Sequence, residues 1–118
     1  MEFLITHFII PCSIISQIVF LPCNQFENEE PGSNAEVKAF AIEHGAKYDL
    51  FSKVDVNGSD ASPLFKFLKT KLTGELTNDI KWNFTKFLCT KDGVPYKRYA
   101  PTTEPLSMES DIKVLLEQ

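Results

Sequence analysis

The chain has little cysteine, little histidine and no excess of positive charge, and each shortage closes a class of function. Its three cysteines, Cys12, Cys23 and Cys89, stand far apart. An odd count at such spacings forms neither a disulfide framework nor a CxxC metal or redox pair. A reducing compartment, the cytoplasm, is the expected location. His7 and His44 are the only histidines, and without clustered Cys/His spacing no metal site is expected. A formal net charge of −4 gives no basic footprint to neutralise phosphates, so nucleic acid is not an expected partner. Internal repeats and low-complexity linkers are absent as well, which argues against a repeat array.

What remains suits one soluble domain. With 118 residues, 43% hydrophobic and 24% charged, the chain is long and apolar enough to bury a core. The unusual part is the N-terminus. Phe3 to Pro22 is almost uncharged, close to the roughly 20 residues of a membrane span. Glu2 precedes it, no Lys or Arg does, and no small-residue cleavage site follows, so a secretory signal is poorly supported. One reading is a signal or membrane anchor. The other makes Gln17 to Leu21 a buried strand of a covered sheet, leaving residues 1–16 as an atypical apolar segment before a domain at 17–118.

The rest of the chain alternates strand and helix signals. Ser33-Asn34-Ala35-Glu36 fits a capping box, followed by Val37, Phe40 and Ala41 on one helical face and Gly45 as a stop. Tyr48 to Val56 predicts a strand closing at Asn57-Gly58. Ser62-Pro63 opens a helix with Leu64, Phe67, Leu68 and Leu72 as its apolar stripe and Gly74 as its stop. Trp82 to Cys89 and Val94 to Tyr99, joined through Lys91-Asp92-Gly93, predict an antiparallel hairpin with Pro95 on an edge strand. Pro105-Leu106-Ser107 leads to a last helix burying Met108, Ile112, Leu115 and Leu116. The order β-α-β-α-β-β-α implies an α/β sheet with helices on its faces.

Two runs stand out, Pro22-Cys23-Asn24-Gln25-Phe26 and Trp82-Asn83-Phe84-Thr85-Lys86-Phe87, because both set polar side chains among aromatics. They resemble signature segments of the glutathione peroxidase family. The resemblance runs from about Ile18 to the C-terminus and includes Lys53-Val54-Asp55-Val56-Asn57-Gly58 and Lys97-Arg98-Tyr99. It implies a thioredoxin-like fold of the glutathione peroxidase type, lacking its N-terminal part. The short link between Leu72 and Trp82 resembles the monomeric phospholipid-hydroperoxide type, so a monomer is the expected state of that type.

The resemblance also implies a site. The family uses a cysteine or selenocysteine, a glutamine, a tryptophan and an asparagine. Trp82 and Asn83 match the last two, with indole N–H and carboxamide NH₂ as donors toward sulfur or selenium. Read alone, Trp82 is a core aromatic at a strand start; Asn83 beside it turns the reading toward a donor pair. The glutamine position holds Glu29, whose ionised carboxylate only accepts hydrogen bonds and raises the pKa of a nearby thiolate. Without a nucleophile nearby, Glu29 reads as a surface turn residue. The nucleophile is expected on a strand-to-helix turn upstream of Glu29 and before Met1. Cys12 lacks the surrounding Asn-Val-Ala-Ser and Gly-x-Thr residues, and Cys23 matches a family cysteine outside the catalytic set. The resolving cysteine of thioredoxin-recycled members would fall at about Ala41, which leaves glutathione as the implied reducing co-substrate, with no other cofactor. Lys71 and Arg98 match basic positions near the site rim, suited to glutathione carboxylates or anionic headgroups of a lipid surface, or else they are solvated charges.

The resemblance therefore implies a thiol-dependent oxidoreductase, a peroxidase reducing hydrogen peroxide or lipid hydroperoxides in the response to oxidative stress. This chain as it stands is expected to be inactive. The alternative is a non-catalytic thioredoxin-like remnant that binds a partner or lipid surface. An incomplete sheet would leave an uncovered edge and favour association.

Overall fold

The computed structural model describes residues 5–11 and 16–118, with side chains from Ile18 onward. In chain order the elements are β1 (Ile5–Pro11), β2 (Ser16–Pro22), α1 (Asn34–Glu43), β3 (Asp49–Leu50), α2 (Pro63–Lys71), β4 (Lys86–Cys89), β5 (Pro95–Tyr99), a 3₁₀ turn (Pro105–Met108) and α3 (Glu109–Leu116). Among the described residues the strands form one sheet in the order β3-β2-β1-β4-β5.

β1 occupies the place where the sequence leads one to expect an open edge. It pairs antiparallel with β2, Ile5 opposite Pro22 and Pro11 opposite Ser16, and parallel with β4, His7 opposite Lys86. Backbone donors and acceptors of β2 and β4 that would otherwise face solvent thus enter ladders. No helix among the described residues is long and apolar enough to cross a membrane.

Alternation along the strands divides the core. Val19 and Leu21 of β2, Phe87 and Cys89 of β4, and Phe65 and Leu68 of α2 form the larger cluster, joined by Cys23, Phe26, Val56 and Ile80. Leu88, between Phe87 and Cys89, joins a second cluster with Tyr99, Met108 and Leu115. One face of β4 thus packs on α2 and the other on α3, the period of two expected of a strand covered on both sides.

Local signals explain most element ends. The Ser33 hydroxyl accepts the Glu36 backbone N–H at 3.2 Å and caps α1, and Gly45 follows that helix at φ +83°. α2 starts at Pro63 and α3 follows the 3₁₀ turn opened by Pro105. β5 is an edge strand and starts at Pro95.

Five expectations need correction. The strand over Tyr48 to Val56 shrinks to Asp49–Leu50. Its extension follows β2 only through the Phe51 and Val54 amides, which donate to Phe20 and Pro22 carbonyls at 2.9 Å each. β2 ends at Pro22, so no ladder partner remains beyond it. The apolar stripe of α2 keeps Leu68, fully buried, with Leu64 and Leu72 packed partly buried against the core, but it takes fully buried Phe65 in place of Phe67, which is exposed. Gly74 does not end α2, which closes at Lys71; it lies where an added Cβ would come within 2.6 Å of the Thr77 carbonyl oxygen. The first strand of the hairpin starts at Lys86 rather than Trp82, because Phe84 takes a left-handed φ of +65° that no ladder accommodates. In the last helix Met108 and Leu115 are buried, whereas Leu116 is exposed.

Candidate active site

Two turns rich in left-handed residues bring the polar runs together. In the first, the Asn24 amide donates to Asn28 Oδ1 at 2.5 Å, and Asn24 Oδ1 accepts the Glu30 backbone N–H at 2.8 Å. Glu27 and Asn28 adopt φ of +53° and +55° inside this loop. Asparagine tolerates that region and its side chain replaces the missing backbone partners. In the second, Phe84 is left-handed and the Thr85 hydroxyl donates to the Trp82 carbonyl at 3.1 Å.

The loops touch at two points. Asn83 Nδ2 donates to Glu29 Oε2 at 3.4 Å, and the Phe26 and Trp82 rings lie with centroids 5.6 Å apart. Asn83 is completely buried, and its Oδ1 has no hydrogen-bond partner among the described residues. Trp82 keeps 38% of its surface exposed. Glu29, Trp82 and Asn83 therefore lie together in one small cluster, with the indole partly exposed. The Asn83 amide, which the resemblance assigns to a thiolate, here faces a carboxylate.

Among the described residues the thiols do not supply a nucleophile. Burial pushes the Cys23 thiol up, although the Gln25 and Val56 backbone N–H groups pull in the opposite direction. Burial pushes Cys89 up to about 11. Both cysteines are free and buried, and both stay protonated near neutral pH. Cys12 lies outside the described residues.

Lys71 and Arg98 have other partners. Arg98 Nη1 donates to the Leu72 and Asn78 carbonyls at 3.3 and 2.9 Å, and Nη2 donates to the Asp79 carbonyl at 2.8 Å. Its guanidinium carbon sits 5.5 Å from the Phe87 ring centre. Burial lowers its pKa, with Asp79 opposing that shift. Arg98 thus clamps the segment between α2 and Trp82. Lys71 is exposed, its ammonium 5.9 Å from the Phe67 ring centre. Among the described residues no group of three or more His, Cys, Asp or Glu side chains is arranged to hold a metal ion.

Sequence reasoning passed over Gln25 and Asn57 as working parts. Gln25 Oε1 accepts the Val56 and Asn57 backbone N–H groups at 2.7 and 2.9 Å, and its Nε2 donates to the Asn57 carbonyl at 2.8 Å. Asn57 in turn donates to the Ile80 carbonyl and accepts the Ile80 N–H, both at 2.8 Å. The available signal was that both residues lie in the quoted runs.

The glutathione peroxidase family model matches residues 12–69. A glutathione peroxidase of Schistosoma mansoni is 54% identical over 103 residues, covering 86% of this chain and 61% of that protein. The chain belongs to the glutathione peroxidase family. A phospholipid hydroperoxide glutathione peroxidase of Bos taurus is 55% identical over 102 residues, covering 85% of this chain and 52% of that protein. The crystal structure of T. cruzi GPX1 superposes with a TM-score of 0.68 at 26% identity, over 96% of this chain and 82% of that one. The fold is thioredoxin-like, as in the solved glutathione peroxidases. The chain spans between half and two thirds of the length of these two curated relatives.

Proposed function

We propose that this sequence carries the donor half of a glutathione peroxidase site, and that the 118-residue chain alone does not turn over. The observation carrying this reading is the meeting of Glu29 and Asn83 at 3.4 Å beside half-exposed Trp82. In the whole protein a thiolate or selenolate attacks the hydroperoxide O–O bond, taking the distal oxygen and releasing water or an alcohol. One glutathione then condenses with the oxidised chalcogen, releasing water and forming a mixed disulfide or its selenium equivalent. A second glutathione displaces the first as glutathione disulfide and restores the chalcogenol. The substrates are hydrogen peroxide or lipid hydroperoxides, and the type is monomeric.

Within this chain Trp82 and Asn83 are the groups suited to hold such an anion, by indole and amide N–H donation. Glu29 opposes them, since its carboxylate competes for the Asn83 amide and repels a thiolate. Buried, protonated Cys23 and Cys89 favour the inactive state of the isolated chain.

The purified chain should show no glutathione-dependent consumption of hydrogen peroxide or phospholipid hydroperoxide above background; robust turnover abolished by Cys12→Ser overturns this. Replacing residues 1–16 with a relative's segment that bears Asn-Val-Ala-Ser-Cys-Gly-x-Thr should create activity. In that protein Trp82→Phe or Asn83→Ala should lower kcat by about 10- to 100-fold, in the range of removing one donor from an anion-stabilising site. Equal activity with and without these donors sinks the assignment.

A further inference from the structure

The polar chain from Gln25 through Asn57 to Ile80 joins three stretches of sequence that are far apart. Gln25 lies in the loop after β2, where Phe26 meets Trp82 and Glu29 meets Asn83. Its carboxamide takes the place of a strand partner: beyond Val54 the stretch leading to Asn57 has no ladder, and Gln25 binds both polar groups of the Asn57 backbone and the Val56 N–H. That fixes Asn57 just before Gly58, which turns at φ +85°. The Asn57 side chain then holds the N–H and carbonyl of Ile80 together, a two-point grip that allows one backbone orientation. Ile80 is buried in the larger core cluster, two residues before Trp82. Lys69 Nζ donates to the same Asn57 Oδ1 at 3.2 Å and lies 3.8 Å from Asp79.

We infer that Asn57, held by Gln25, is a positioning residue that sets the direction in which Trp82 and Asn83 leave Ile80 and hence their meeting with Phe26 and Glu29. The inference rests on the proposed site at Trp82 and Asn83 but concerns their geometry, which is measurable without turnover. The physical reason lies in the connection from Leu72 to Ile80, which has few internal ties. Arg98 clamps its first part through backbone carbonyls. Asn57 governs its exit. A coreward Ile80 side chain fixes depth but not rotation of the backbone, whereas paired hydrogen bonds to N–H and carbonyl fix rotation as well.

Trp82 is the sole tryptophan, so its emission reports the site directly. Asn57→Ala removes the grip and Gln25→Met removes its support at similar side-chain length. Both should release the indole from Phe26, red-shift its emission and raise acrylamide quenching about twofold in the folded protein, as expected for local loosening from 38% exposure toward full exposure. Asn57→Asp keeps the acceptor for the Ile80 N–H and should recover part of the native value. Met108→Ala, in the second core cluster, is the control: it should lower Tm while leaving quenching at the native value. Native quenching in folded Asn57→Ala and Gln25→Met overturns the inference, and so does a rise in Met108→Ala as large as theirs. Raised quenching in both variants alongside an inactive joined enzyme would count against the proposed function and not against this geometry.

Discussion

The two ends of the Asn83 amide meet different surroundings. Its NH₂ faces the Glu29 carboxylate, while its Oδ1 lies buried without a donor among the described residues. Such a group tolerates little change of charge. Asn83→Asp would place a second carboxylate beside Glu29 in a fully buried position, and should destabilise the chain by about 3–5 kcal/mol in urea unfolding near neutral pH. Protonation relieves the repulsion, so the deficit should shrink as pH falls from neutral toward the ordinary carboxylate range. An Asn83→Asp chain as stable as the parent would show that this contact is wet. The resemblance marked Glu29 and Asn83 as family positions, but no sequence pattern said that their side chains meet. Gln25 and Asn57 were legible only as members of the quoted segments. Their grip joins residues that no periodicity relates, and a side chain acting as a strand partner leaves no pattern of its own.

Helices and strands carry the next level of error and success. The stripe on α2 was read correctly at Leu64, Leu68 and Leu72 but took Phe67 for Phe65: Phe65 is fully buried and Phe67 is not. Phe65→Ala should therefore cost about 3–5 kcal/mol, and Phe67→Ala less than about 1 kcal/mol, by chemical unfolding. Equal costs would contradict the burial. Periodicity could not separate these faces, because Leu64, Phe65, Phe67 and Leu68 are all large and apolar and the partner surface decides which turn inward. The shortened β3 has a similar origin, since β propensity marks an extended chain but not where its neighbour ends. Capping signals fared better. Ser33, Pro63 and Pro105 act locally and need no partner to be read. Between β5 and α3, the Tyr99 hydroxyl donates to Asp111 Oδ2 at 2.6 Å and Lys97 lies 3.0 Å away. The Tyr99 bond, first, and the Lys97 bond lower the Asp111 pKa. A depressed carboxyl adds stability above its unfolded pKa and loses it as pH falls through the folded value. Tyr99→Phe should therefore be less stable at neutral pH, and its deficit should narrow below about pH 4. A deficit that does not depend on pH would assign the tyrosine to packing alone.

At the scale of the whole molecule, the α/β order and the thioredoxin-like class followed from alternating strand and helix signals and from the family resemblance. The role of the N-terminal segment did not. Ile5–Pro11 resembled part of an anchor because apolar composition marks burial without naming the solvent. In the sheet its backbone is bonded on both sides, with Ile9 opposite Ile18 of β2 and Leu88 of β4. Ile9→Pro removes a ladder donor from a central strand, where proline has no accommodation. It should abolish or broaden cooperative thermal unfolding followed by circular dichroism, whereas the same change at Tyr96 on edge strand β5 should leave a sharp transition. A sharp, unshifted transition in Ile9→Pro would remove β1 from the folded core.

The place of β1 also sets the order of events as the chain emerges and folds. β1 and β2 are sequence neighbours and can close as a hairpin within about 1–10 μs. The other flank of β1 must await β4, which comes from the far end of the chain. Until then one hydrogen-bonding edge of the hairpin stays open to any passing strand. Dilution or a chaperone that shields extended segments should therefore raise the yield of native protein, and crowding of nascent chains should lower it.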